Sequence, residues 1–257
     1  MLTLSDIKQN PEVRHYLDRA DGVLESIGYT EHGRRHAGVA AERARTVMEA
    51  LDRSDRLCEL AAISAYLHDI GNIVNREAHA QTGATLAHGL LREAGMPIED
   101  IIEVVTAIGH HHETDGAPVS EIAAALILAD KSDVHRSRVR NKEMIGLDIH
   151  DRVNYAVTHS ALRVVGPREA REMFGERENG SGSSPGIDRA EVEIADLDEG
   201  ETAEEKPTVT LSLEIDTSIA PVMEYFEIFL PRMILSNRAA DRLDAVYKLV
   251  INETPLL

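Results

Sequence analysis

The chain has 257 residues, no Trp, three Phe, six Tyr, one cysteine (Cys58) and a net charge of −18. That composition excludes an internal disulfide framework and leaves a core of Leu, Ile, Val, Ala and Met, which suits packed helices. The charge argues against nucleic acid, whose phosphates need a basic footprint, but allows a small phosphorylated ligand.

In chain order, residues 1 to about 150 read as consecutive helices. Val39, Ala40, Ala44, Val47 and Leu51 recur at helical spacing, as do Leu57, Leu60, Ala61, Ser64 and Leu67. Gly95-Met96-Pro97 ends one helix and opens the next, which carries Ile101, Val104, Val105 and Ile108. The wholly apolar run from Ile122 to Ala129 predicts a buried helix. No apolar run reaches the roughly 18–20 residues of a membrane span. The N-terminus lacks a basic region followed by an apolar stretch, so a cytoplasmic protein is expected.

The pattern changes near residue 150. Tyr155 to Val165 and Thr208 to Ile215 alternate with period two, with Val209, Leu211, Leu213 and Ile215 on one face. Between them, residues 169–206 hold 13 acidic and four basic residues, after and around a Gly/Ser-rich stretch. A flexible acidic insertion at about 168–206 is the expectation. A helix from Ala220 to Leu243, interrupted or bent at Pro231, and a third strand at Tyr247, Leu249 and Ile251 follow. The fold class is therefore mainly α: a helical domain over residues 1–150 and a small α+β part over 151–257.

The histidines sort by helix face. His36 leads the row of Ala40, Ala44 and Val47; His68 follows Ala61, Ser64 and Ala65, with Asp69 next to it. His79 shares a row with Gly83, Leu86 and Leu90, and Asp130 closes the row of Ala123, Leu126 and Ile127. Counting seven back, His111 and His112 follow Val104 and Val105 and face inward, whereas His110 follows Glu103 and faces out. Buried imidazoles and carboxylates are costly unless paired or coordinated, and a thiolate-free set suits Mn, Fe, Ni, Zn or Mg. A metal-free polar network is the bland alternative.

These residues resemble the HD superfamily of metal-dependent phosphohydrolases. The resemblance rests on His36, on His68-Asp69 and on Asp130. His79-Ala80-Gln81-Thr82-Gly83-Ala84 and His111-His112-Glu113-Thr114-Asp115-Gly116 are similar to the added elements of its two-metal branch, which includes the HD-GYP phosphodiesterases. Asn72 and Ala117-Pro118 stand where that subgroup has Lys and Gly-Tyr-Pro. The resemblance implies an HD-type bundle holding two divalent ions, one on His36, His68, Asp69 and Asp130, the other on Asp69, His79 and His111. A metal-activated hydroxide would then cleave a phosphoester of a nucleotide or other small metabolite. His112 is a further ligand or a group orienting His111. Asp69, as the bridging ligand, and His32, as proton donor or accessory ligand, are the catalytic candidates. Lys131, Arg136, Arg138 and Arg140, in a basic stretch beginning beside Asp130, are candidates to bind substrate phosphate, and Asp133 to orient a ligand or one of the arginines. Two other functions remain open: a di-iron oxygenase with the same ligands, and a non-catalytic nucleotide-sensing module. The C-terminal part is a candidate surface for a homodimer, or a lid.

Overall fold

The structure, a computed structural model, describes residues 2–174 and 206–256. The described N-terminal segment is helical: α1 (Leu4–Gln9), α2 (Pro11–Ser26), α3 (Arg34–Ala50), α4 (Asp55–Leu67), α5 (His79–Glu93), α6 (Ile98–Gly109), α7 (Glu121–Ser132) and α8 (Ile149–Ala156). The starts are capped where the sequence carries an oxygen side chain. Thr3, Asn10, Ser54, Ser120 and Asp148 each accept from a backbone N–H of the first turn. Pro97 sits just before α6, as its N-cap.

Helix α7 is the axis of the bundle. Its residues from Ile122 to Ala129 are buried all round, because α3, α4, α6 and α10 (Val222–Arg242) all pack on it. A helix apolar on every face needs that many neighbours. The apolar core is continuous from α1 to the last helix and the sheet, so the C-terminal part shares the core of the bundle. Cys58 is a small buried residue of α4.

The sheet runs β1 (Val157–Val165), β2 (Thr208–Ile215), β3 (Val246–Ile251) and β4 (Thr254–Pro255), in that spatial order. β1 and β2 are antiparallel, β2 and β3 are parallel across the α10 connection, and β3 and β4 are antiparallel. Val209, Leu211, Leu213 and Ile215 are buried together as their alternation predicts. Thr208 and Thr210 on the other face are buried too. Ser212 is half-buried and Glu214 exposed, so that second face reaches water only toward the end of the strand.

Three expectations need correction. Tyr155 belongs to α8, and the strand starts two residues later at Val157. The expected flexible insertion begins as helix α9 (Pro167–Phe174), whose i,i+4 pair Arg168–Glu172 favours it; the remainder, 175–205, lies outside the described residues. α10 runs unbroken through Pro231. A proline inside a helix costs about 3 kcal/mol, and here the packing of Tyr225, Phe229 and Met233 into the core offsets it. No helix among the described residues is long and apolar enough to cross a membrane.

Candidate metal centre

Five helices, α3 to α7, deliver the polar cluster. His36 lies in the first turn of α3 and is fully buried. His68 caps the end of α4, and Asp69 leads into a short 3-10 turn over Ile70–Ile73. His79 starts α5, His111 follows α6 and Asp130 lies near the end of α7. Two glycines permit the close approaches. A Cβ on Gly71 would stand 2.0 Å from the His79 carbonyl oxygen, so only glycine lets the turn after Asp69 lie against the start of α5. A Cβ on Gly116 would stand 2.3 Å from the carbonyl oxygens of both His110 and His112, the turn that presents His111. Ala78, immediately before His79, adopts φ +55°, a left-handed conformation that costs a non-glycine residue energy and often accompanies function.

The tautomers follow from the partners. Nδ1 of His68 lies 2.7 Å from the Ala65 carbonyl, that of His79 2.9 Å from Arg76 and that of His111 2.7 Å from Ile108. A carbonyl only accepts, so each Nδ1 carries the proton. His36 Nδ1 donates to Asp133 Oδ2 at 2.7 Å. Every imidazole therefore turns its Nε2 inward. There His36 and His68 Nε2 atoms are 3.3 Å apart, and those of His79 and His111 are 3.2 Å apart. Asp130 Oδ1 lies 3.2 Å from His36 Nε2 and 3.5 Å from His68 Nε2. Asp69 turns Oδ2 to His68 (3.1 Å) and His36 (3.6 Å), and Oδ1 to His79 (3.7 Å).

Lone pairs facing each other at such distances in a buried site repel unless a proton or a cation lies between them. Asp69 Oδ2 is buried without a hydrogen-bond partner. Burial pushes His79 down to about 4 and His111 well below its ordinary value, so both stay neutral. Burial also opposes charge on His68, but Asp69 and Asp130 outweigh it and lift His68 to about 10. The two carboxyls stay well below the usual range: burial is overcome by His68 at Asp69, and by Lys131 and His68 at Asp130. The donor set is nitrogen and oxygen from several elements, and it fits divalent cations. His36, His68 and Asp130 come together as one set of ligand atoms and His68, Asp69 and His111 as another.

A second layer of side chains holds the first. Asn72, fully buried, donates to Asp69 Oδ1 at 2.8 Å. Asp133 accepts from both His36 and Arg35, the latter at 3.0 Å, while Arg138 donates to the Asp133 carbonyl at 2.7 Å. Lys131 is buried and paired with Asp130 (2.8 Å) and Glu113 (2.7 Å), and Arg232 of α10 reaches the other oxygen of Glu113 at 3.3 Å. Arg76 Nη1 lies 3.3 Å from both His79 Nε2 and Asn72 Oδ1.

The candidate substrate residues separate in space. Arg138 and His32 line a cavity that opens beside the cluster, together with His112, Arg76 and Arg232. Lys131 is tied up between two carboxylates. Arg136 stacks over Tyr155 and Arg140 is drawn to Asp21 of α2, and neither lines the cavity. Arg136–Arg138 form a 3-10 turn, in which residues two apart point to different sides, and Asp21 captures Arg140 beyond it. His32 is buried, donates Nδ1–H to the Thr30 carbonyl at 2.7 Å, and is held neutral by burial and Arg138. His110 and His112 are both only partly buried, and His112 meets the His79 ring edge to face at the cavity wall. The inward reading of His112 extended helical spacing past Gly109, where α6 stops. Glu113, Arg35, Arg76 and Arg232 went unassigned from sequence. Glu113 at least stood in the His-His-Glu run, whereas nothing in the spacing marks Arg232, which lies 119 residues from Glu113.

The mainly helical bundle thus brings imidazoles and carboxylates from several elements into groups that could hold a metal ion. Residues 29–135 match the HD domain family, a family of metal-dependent hydrolases. The chain is also 27% identical over 157 residues to an uncharacterized protein of Methanocaldococcus jannaschii, covering 52% of this chain and 60% of that relative. It thus spans less than two thirds of that protein's length. No solved structure matches.

Proposed function

We propose that the protein is a metal-dependent phosphohydrolase acting on a small phosphorylated metabolite. The supporting observation is the buried convergence of four Nε2 atoms with Asp69 and Asp130, every Nδ1 being turned away to an acceptor. His36, His68 and Asp130 would hold one ion, and Asp69, His79 and His111 a second, since Asp69 offers one oxygen to each side. Ions there would supply Lewis acidity toward phosphoryl oxygens and a water of lowered pKa.

The chain's own groups do the rest. Asp133 fixes the orientation of His36, and Asn72 that of Asp69. Lys131 balances the Asp130 and Glu113 carboxylates and keeps Asp130 ionised. Arg76, within reach of the ligand His79, and Arg138 on the cavity wall face the position of a phosphate. Neutral His32 offers an Nε2 acceptor at the mouth, suited to orienting water or adding a ligand rather than to delivering a proton.

Metal analysis of protein purified without chelator tests the reading, followed by phosphate-release assays with Mn, Mg, Fe, Ni and Zn. About two ions per chain and phosphate release without oxygen are expected. Asp69→Ala should lose both, and full activity in that variant would end the proposal. Iron with oxygen uptake and no phosphate release would replace it with an oxygenase.

A further inference from the structure

The cavity beside the cluster is larger than the metal centre needs. It encloses about 700 Å³, within the range of small-molecule sites. Its polar walls are of two kinds.

The first is cationic. Arg138 is 3% exposed; it uses Nε and Nη1 on the carbonyls of Glu31 and Asp133, and its Nη2 is buried with no partner. Arg76 bridges toward His79 and Asn72. Arg232 arrives from α10, lies over the Phe229 ring and donates a single bond to Glu113. A fork of five N–H donors is only partly used in each.

The second wall accepts. α8 brings Asp148, Asp151 and Asn154 to the cavity. Asp148 spends its carboxylate on the backbone N–H groups of His150 and Asp151. Asp151 has no such use. It is 9% exposed, and among the described residues no group hydrogen-bonds or ion-pairs with its carboxylate. Burial and the neighbouring Asp148 push its carboxyl above the ordinary value. Asn154 commits Nδ2 to the His150 carbonyl, which leaves its oxygen as an acceptor.

Unused donors near the metal ligands and unused acceptors on α8 call for a ligand that is anionic at one end and rich in hydroxyls elsewhere. Inorganic phosphate would leave Asp151 with water as its only donor, and a nucleic-acid chain would meet the −18 charge of the protein. We propose that the cavity takes a phosphorylated polyol, its phosphate against Arg76, Arg138 and Arg232 and its hydroxyls donating to Asp151 and Asn154. The phosphate end rests on the phosphohydrolase reading. Arg232, Asp151 and Asn154 lie outside residues 29–135, so the C-terminal part, rather than the HD domain, would set the specificity. Sugar phosphates and ribonucleotides share this chemistry.

Calorimetry on the protein as purified, under nitrogen, with phosphonates that resist hydrolysis, tests the inference. The probes are methylphosphonate, the phosphonate analogues of ribose 5-phosphate and 2-deoxyribose 5-phosphate, and a ribonucleoside phosphonate. The ribose analogue should bind at least about 10-fold tighter than methylphosphonate. The nucleoside probe binding tighter than, or no tighter than, the ribose analogue assigns the source as a nucleotide or a sugar phosphate. Asp151→Ala should bring the ribose advantage to within about 3-fold, whereas Arg232→Gln should weaken all probes by a common factor of about 10. If Asp151→Ala does not fold, Asn154→Ala should remove part of the same advantage. Equal affinity for hydroxylated and plain phosphonates, or an advantage untouched by these α8 variants, overturns the proposal. Asp69-dependent phosphate release from an aryl phosphate without hydroxyl preference would leave the hydrolase reading standing and sink this one. Hydroxyl preference without phosphate release would do the reverse.

Discussion

Asp133 is the sharpest point at which to perturb the site, because it touches the proposed ligands through one atom pair. Its Oδ2 accepts the Nδ1 proton of His36 at 2.7 Å, and the hydrogen bond from His36, with Arg138 and Arg35 nearby, overcomes burial and keeps the carboxyl well below its ordinary value. It is thus an ionised acceptor at any working pH, and it holds His36 with Nε2 turned inward. Asp133→Asn keeps the shape and an acceptor oxygen but removes the charge. Loss of such a partner weakens metal affinity by about 10–100-fold, which is about 1.4–2.7 kcal/mol. The fold should suffer less than the about 3–5 kcal/mol of a broken buried ion pair. Arg138 keeps its bonds to two backbone carbonyls and Arg35 keeps its pair with Glu31. Competition against a chelator of known affinity measures the first effect, and thermal unfolding of the chelated variant and wild type measures the second. Affinity within twofold of wild type, in a folded variant, would refute the claim that Asp133 tunes the centre through His36.

Three further outcomes follow from the same geometry. Gly71→Ala forces a methyl against the His79 carbonyl, 2.0 Å away, and should cost at least about 1–3 kcal/mol and lower metal retention, read by unfolding and metal analysis. Removing metal from the purified protein should lower the melting temperature. At 100 times the dissociation constant an ion contributes about 2.7 kcal/mol, or roughly 5–10 °C for a chain of this size. Cation affinity should rise with pH above neutrality. His68, lifted to about 10 by the two carboxylates against its burial, carries a proton that a cation must displace, while His79 and His111 are already neutral. About one proton released per centre at pH 7–8, seen as buffer-dependent calorimetric enthalpy, is the expected sign; uptake of a proton would contradict it.

Much of this was written in local pattern. Helical spacing placed His36, His68, His79 and Asp130 on the apolar faces of their helices, and the strands at Thr208–Ile215 and Val246–Ile251 were legible as alternation. Such periodicities carry over because a buried face must repeat with the period of its element. They fail where the element ends, as at His112 beyond Gly109, and where neighbours bury a second face, as at Thr208 and Thr210.

The amino-acid order by itself marked His36, His68, His79 and Asp130 as polar groups on apolar helix faces, since that depends only on the pattern along each helix. Which of them meet was decided by tertiary packing alone. The choice of Arg138 over Arg136 and Arg140, the capture of Lys131 by Asp130 and Glu113, and the arrival of Arg232 and Asp151 at one cavity all depend on how distant elements are brought together. Side-chain charges act over a few ångströms, and no spacing in the chain encodes distances between residues a hundred positions apart.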